Sequence, residues 1–370
     1  MRLRDLGITI GEYPTGEHNA ITDVDGVKVG YATLIAGDGP LITGQGPIRT
    51  GVTAILPHAD IGIEPLFAGT HTLNGNGELT GLEWVREAGQ ITTPIAITNT
   101  SSVGVVRDAI VAAHTMQHGH EENFWSLPVV GETYDGTLND INGQHVTAQH
   151  LHDALAAATT GPIAEGNVGG GTGMICHEFK GGTGTASRRV DGWTVGALVQ
   201  ANYGDRSRLM VDGVPVGREI GTGVVASPYP EPTEAGSIIV ILATDAPLLP
   251  HQLTRLAQRA GLGIARCGGS GAHSSGDIFL AFSTANRGRL LSYKEEDDPS
   301  PFDVAMIPDA AMSPLFWGAI ESTEEAILNA LVAAETMTGI NGVTCHALPH
   351  DRLLAAMRTY GRGGDDGSSS

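Results

Sequence analysis

The six residues 238–243, "IIVILA", constrain this chain more tightly than any other stretch. They are wholly apolar and mostly β-branched, with the length of a buried strand. A Pro-rich approach, "SPYPEPTEAGS" (227–237), leads into them, so Gly236 and Ser237 stand directly at the strand's entrance. A hydroxyl there is either ordinary turn chemistry or a group placed to react.

Strand-like and helix-like runs alternate along the rest of the chain. Residues 26–35, 51–57, 93–99 and 193–204 read as strands bounded by Gly, Pro, Asp or Asn. Apolar residues at three-to-four spacing predict helices over 78–89, 103–119, 147–159 and 249–266. Residues 321–338 carry the best helical pattern, with Ser322 as N-cap and Glu325 three residues on. The interleaving predicts a mixed α/β fold of layered sheets with no linker dividing it. The tail 361–370, "GRGGDDGSSS", has the composition of a disordered segment.

Charge and cysteine usage narrow the class. With 41 acidic and 21 basic residues the formal net charge is −20, which repels nucleic-acid backbones and anionic lipid. The three cysteines, Cys176, Cys267 and Cys345, are scattered and odd in number, so no disulfide framework is expected. Neither a signal-peptide core nor an 18-residue apolar run occurs, and the reading is a cytoplasmic protein without membrane partners.

Familiar catalytic motifs are missing. The Gly-rich stretches 166–173 and 181–187 do not satisfy G-x-G-x-x-G, and none of Lys28, Lys180 and Lys294 follows a glycine as a phosphate loop requires. No serine has the flanking glycines of a nucleophile elbow. His114 and His118 share a helical face, with His120, His145, His150 and His152 beyond, yet no acidic third ligand stands at a metal-site offset. No metal or organic cofactor is therefore expected. Cys267, in "RCGGSGAHSSGD", reads as a small buried residue rather than a reactive thiol.

Other polar residues give Ser237 company. "SSGDIFLAFSTAN" (274–286) is a second strand opened by Ser275 and Asp277, whose two-residue spacing puts both on one face. If the two strands are neighbours, Ser237, Ser275 and Asp277 form a hydrogen-bonded relay at one end of a sheet. Asn202 closes a third strand with an amide donor, and Glu132 and Tyr134 lie in the turn-rich "GETYDGTLND" (131–140).

These blocks, together with 19–34, 166–188, 236–253 and 269–286, resemble the DmpA-type aminopeptidases, the L-aminopeptidase/D-esterase and β-peptidyl aminopeptidase group. The resemblance covers nearly the whole chain. It implies a layered αββα fold over 1–360 and a precursor that cuts itself before a serine. Carried over, the scissile bond is Gly236–Ser237, leaving chains 1–236 and 237–370. Ser237 becomes the nucleophile, Ser275 and Asp277 its relay, Asn202 the oxyanion donor and Tyr134 a pocket hydroxyl. Glu132 becomes the carboxylate that holds the substrate's free amine. Some relatives carry glutamate at the position of Asp277.

Elementary chemistry agrees with a nucleophile that begins a chain. A serine hydroxyl needs a base, and a freed α-amine with pKa near ~8 supplies one. The implied substrates are short peptides, amino-acid amides or esters with a free N-terminus, and the implied assembly is a homotetramer of processed pairs. Two other readings remain at this point: an acyltransferase of the ornithine-acetyltransferase type, in which threonine is the nucleophile, and an uncut binding protein with a degenerate site.

Overall fold

The computed structural model describes residues 1–118, 125–231, 236–290 and 301–362. In chain order its main strands are β1 (Lys28–Ala36), β2 (Ile48–Leu56), β3 (Leu66–Gly75), β4 (Gln90–Ile91), β5 (Ile95–Asn99), β6 (Val129–Thr133), β7 (Ile175–Cys176), β8 (Phe179–Lys180), β9 (Gly182–Val190), β10 (Trp193–Asn202), β11 (Ser237–Thr244) and β12 (Gly276–Ser283). The helices are α1 (Leu82–Ala88), α2 (Val103–His118), α3 (Ala148–Ala156), α4 (Val216–Glu219), α5 (Pro250–Arg266), α6 (Met312–Ala333) and α7 (His350–Thr359).

Two sheets carry the architecture. One has four strands in the order β1-β2-β5-β6; the other has six, in the order β4-β3-β12-β11-β10-β9. Alternate residues of β11 explain why the two sheets stack. Ile239 and Ile241 join Leu198 and Leu280 in a core shared with Ile55, Ile97 and Val129 of the smaller sheet. Ile238, Val240 and Leu242 face the other way, into a core built with Leu253 and Leu256 of α5 and Ile327 and Leu331 of α6. The smaller sheet buries its outer face under α2 and α3 through Val52, Ala96, Val106 and Leu151. A strand apolar on both faces requires cover on both. The result is the expected αββα sandwich.

Two predicted helices differ from their observed spans. The first begins at Leu82 rather than 78, because Gly81 is left-handed and the Thr80 amide bonds Val130 O across to the smaller sheet. The best-patterned helix runs 312–333, not 321–338. Pro314 and Gly318 look like breakers in sequence, but proline is tolerated in a helix's first turn. A Cβ at Gly318 would sit 2.9 Å from Val190 Cγ2, so the glycine is there for packing. Ser322 is consequently no cap: it lies inside the helix and its hydroxyl donates to Gly318 O at 2.7 Å. The tail predicted to be disordered lies, from residue 363 on, outside the described residues.

Candidate active site

Strand pairing brings the sequence-flagged residues to one end of the larger sheet. Ser237, the first residue of β11, pairs antiparallel with Asn202, the last of β10, and parallel with Gly276, the first of β12. Directly paired residues share a sheet face, so the Ser237 and Asn202 side chains lie together. Ser237 is buried, and its hydroxyl oxygen accepts the Gly276 amide at 3.0 Å.

Gly236 can be nothing but glycine here. Its φ is +142°, and a Cβ would fall 2.1 Å from Asn202 O and 2.7 Å from Tyr203 Cα. The peptide before Ser237 is thus pressed onto the backbone of the residue that carries the amide.

The expected three-membered relay is only partly present. Ser275 donates to Asp277 Oδ1 at 2.6 Å, as anticipated. Register, however, pairs Asp277 with Ile238, one residue past Ser237. Because side chains alternate, Ser275 and Asp277 face the α5 side while the Ser237 hydroxyl faces the opposite way. From there Asp277 lies next to the Ile238 amide of β11. Burial pushes the Asp277 carboxyl up to about 6, offset in part by the Ser275 hydroxyl and the nearby Ile238 amide. Its Oδ2 closes no hydrogen bond among the described residues.

The Asn202 amide is oriented by two backbone groups. Ile175 N donates to its Oδ1 at 2.8 Å, and its Nδ2 donates to Tyr134 O at 3.0 Å. An acceptor fixed at Oδ1 decides which end of the amide bears hydrogens, and one Nδ2 hydrogen remains uncommitted. Tyr134 therefore contributes its carbonyl. Its side chain is 52% exposed and lies over Gly136, and its hydroxyl makes no hydrogen bond among the described residues.

Glu132 is buried in β6 and pairs with no cation among the described residues. Its Oε1 accepts the Glu78 amide at 2.9 Å, and its Oε2 accepts the Thr100 hydroxyl. Gly77 shows how close this carboxylate lies to the start of β12, where Gly276 pairs with Ser237: a Cβ at Gly77 would lie 3.1 Å from Glu132 Oε1 and 2.9 Å from Gly276 Cα. Burial raises the Glu132 carboxyl above its ordinary range, and the nearby Glu78 charge adds to this, while the Thr100 and Glu78 hydrogen bonds oppose it. Thr100, Glu78 and Ile175 were not flagged from sequence. Only the Glu78 misreading left a trace, as a helix pattern that began before its glycine.

Among the described side chains, the histidines named from sequence do not group as ligands of one ion. His145 bonds Asp140 at 2.8 Å, His150 takes the Thr147 amide at 3.0 Å, and His114 bonds Ser126 at 3.3 Å. His120 lies outside the described residues. Among the described residues, the grouping close enough to share an ion is His58, Asp60 and Glu64. Both His58 ring nitrogens are already engaged, by Glu64 O at 2.7 Å and Asp60 N at 3.2 Å. All three cysteines are free and buried, and burial raises the Cys267 thiol, which suits a packing role.

A serine hydroxyl, a side-chain amide and a buried carboxylate come together at one end of the larger sheet, and known proteins share the fold that holds them. The sequence profile of peptidase family S58 matches residues 19–345. The beta-peptidyl aminopeptidase BapA of Sphingosinicella microcystinivorans is 49% identical over 98% of this chain and 93% of its own. A solved beta-aminopeptidase from Burkholderia sp. superposes with a TM-score of 0.91 at 55% identity, covering 98% of this chain and all of that one. The L-aminopeptidase D-Ala-esterase/amidase of Ochrobactrum anthropi, described as a prototype serine aminopeptidase and a variant of the Ntn hydrolase fold, gives 0.89 at 46% identity over 98% and 99%. No helix among the described residues is long and apolar enough to cross a membrane. This chain belongs to peptidase family S58 and is a serine aminopeptidase.

Proposed function

We propose that the chain cuts itself between Gly236 and Ser237 and then works through the serine it has exposed. The observation that carries this is the Gly236–Ser237 peptide, held in a glycine-only conformation against the Asn202 backbone at one end of the larger sheet. In the first step Ser237 Oγ bonds to the Gly236 carbonyl carbon, and Asn202 Nδ2 donates to the oxyanion. The C–N bond breaks, the nitrogen leaves as the amine of Ser237, and water hydrolyses the ester. Chains 1–236 and 237–370 result.

The facing of Ser275 and Asp277 gives them a specific role. They lie behind the face that carries the Ser237 hydroxyl, with Asp277 next to the Ile238 amide, one residue along the main chain from the Ser237 nitrogen. The Ser275 hydroxyl already donates to Asp277, so its lone pairs are open to an N–H from Ser237. This acceptor chain stabilises positive charge on that nitrogen, both as it leaves in self-cleavage and as it takes the hydroxyl proton in turnover. Asp277, though shorter than glutamate, suffices because burial beside the strand brings it to the backbone.

Substrate enters with its free ammonium on Glu132, which sets the first acyl carbon over Ser237. Relatives named for β-peptides favour N-terminal β-residues as the substrate class. Exposed Ile35, Leu41 and Ile42 support a homo-oligomer, the tetramer that the family resemblance implies. Three free thiols fit a cytoplasmic setting.

Intact mass and N-terminal sequencing test the reading. Wild-type protein should separate into two chains, the smaller beginning Ser-Ile-Ile-Val, and Ser237→Ala should stay one inactive chain. Full activity in an uncut chain would end it.

A further inference from the structure

One buried cation stands outside every role assigned above. Lys180 is fully buried in β8, and no carboxylate among the described residues pairs with it. Its Nζ donates to Met174 O and Gly181 O at 2.8 Å and to Gly171 O at 3.4 Å. Three acceptors match the three hydrogens of an ammonium and leave nothing for a counter-ion. Burial pushes the group down to about 7, a desolvation cost that an apolar side chain in its place would not carry.

The hairpin above Lys180 explains what the charge is for. β7 and β8 pair Ile175 with Lys180 and Cys176 with Phe179 around the tip His177–Glu178. The Gly181 amide bonds Met174 O at 2.9 Å, so the Ile175–Lys180 pair is a non-hydrogen-bonded one, and the Ile175 amide points outward. It points at Asn202 Oδ1. Both tip residues have positive φ, 49° and 59°, a two-residue turn normally given to Gly or Asn. Such a hairpin does not hold its shape unaided. Arg206 clamps the tip through His177 O and Glu178 O, and Lys180 clamps the base.

We propose that Lys180 is a positioning residue of the reaction: by tying Gly171, Met174 and Gly181 together beneath the hairpin, it fixes the Ile175 amide, which in turn keeps the donor end of Asn202 turned to the oxyanion. The inference rests on reading Asn202 as the oxyanion donor. Lys180 touches no reacting atom and acts only through the hairpin.

A double-mutant cycle tests it. Lys180→Gln, Asn202→Ala and the pair are compared for kcat, KM and the rate of self-cleavage, with circular dichroism confirming the fold. Lys180→Gln should lower kcat and self-cleavage about 10- to 100-fold with KM little changed, as expected for a displaced catalytic donor. The double variant should be no slower than Asn202→Ala alone. Wild-type kcat in Lys180→Gln, or losses that multiply in the double variant, would overturn the proposal. Wild-type kcat in Asn202→Ala would instead remove the oxyanion reading itself. If Lys180→Gln does not fold, the same cycle is run with Lys180→Arg; if neither folds, Lys180 serves the whole fold and the proposal is dropped.

Discussion

Two sets of buried carboxylates, one on α6 and one around the start of β11, are treated in opposite ways. On α6, Glu321 and Glu325 share the fully buried Arg188 at 2.9 and 2.7 Å, and Glu325 also binds Arg4 at 2.8 Å. Burial alone would push Glu325 up, but the Arg4 hydrogen bond and the charges of Arg188 and Arg4 hold it below the ordinary range. At the active site, Glu132 and Asp277 are equally buried and have only neutral donors, and both are raised. The contrast separates architecture from chemistry. A carboxylate that staples helix to strand is neutralised by the protein, whereas one that must receive an ammonium is left short of a cation. On the proposed reading, the cation missing at Glu132 is the substrate's amine, and the one missing at Asp277 is the amine that self-cleavage would create on Ser237.

The largest effect should come from breaking the staple. Arg188→Met leaves Glu321 and Glu325 short of a partner, removes the donor to Ser187 O and leaves Ile10 O with only the longer contact from Arg4 at 3.5 Å. Stability should fall by about 4 kcal/mol, read as a lowered denaturation midpoint, while turnover per folded molecule stays unchanged. A variant that melts normally would mean the α6 carboxylates are not held by charge pairing, and the comparison would fail on its structural side.

Glu132→Gln probes the other side. The amide keeps the shape and one acceptor for the Glu78 amide, but a substrate ammonium then enters a pocket without its counter-charge. Activity on free-amine substrates should drop about 10²- to 10³-fold, equivalent to about 3–4 kcal/mol, with melting temperature unchanged or raised. Wild-type enzyme should discriminate against N-acetylated substrates to a similar degree. Equal hydrolysis of acetylated and free substrates would show that Glu132 is one more structural acid.

How far was this division legible beforehand? The layers were, because β1, β2, β5, β10, β11 and β12 announce themselves as bounded apolar runs and the long helices keep their period. Site membership was readable through the resemblance carried by the Gly-Ser, "NYG" and "SSGD" blocks. Facing was not. Whether Ser275 and Asp277 lie with the Ser237 hydroxyl or behind it depends on a one-residue register, which no local pattern encodes. The staple was hidden for a similar reason. Arg4, Arg188 and Glu325 are more than a hundred residues apart, and Pro314 and Gly318 concealed the helix turns that bring Glu321 into the interior. The Tyr134 carbonyl's contact with the Asn202 amide was equally hidden, because a backbone acceptor leaves no mark in sequence.

A third effect, smaller, uses pH to sharpen the comparison. Asp277 in the uncut chain titrates at about 6, against an ordinary 3.8. A raised carboxyl favours its neutral form in the fold, so its contribution to stability is complete below pH 3.8 and is lost as pH rises through 6. Its chemistry runs the other way, since only the carboxylate supports positive charge on the Ser237 nitrogen. Self-cleavage of freshly refolded precursor, followed on denaturing gels, should therefore slow about tenfold for each pH unit below 6. Asp277→Asn should melt higher than wild type at pH 8 and cleave far more slowly. A rate flat between pH 5 and 7 would detach Asp277 from the step.

The smallest effect belongs to a carboxylate that sits between the two classes. Glu324 is buried on the same helix as Glu321 and Glu325, but its partner Arg266 is 42% exposed. Burial still raises Glu324, with the Arg266 hydrogen bond and charge opposing it only in part. Water screens the exposed guanidinium, so the pair contributes less than a buried one. Arg266→Ala should cost about 1 kcal/mol at pH 8. The gap to wild type should narrow toward pH 5, because Glu324 without Arg266 is raised further and protonates there, and a raised carboxyl costs stability only as pH climbs. Chemical denaturation at the two pH values reads this directly. A loss as large as that of Arg188→Met, and independent of pH, would show that pairing with a half-exposed arginine neutralises a buried acid as fully as a buried one does, which would remove exposure of the partner as the variable that grades these carboxylates.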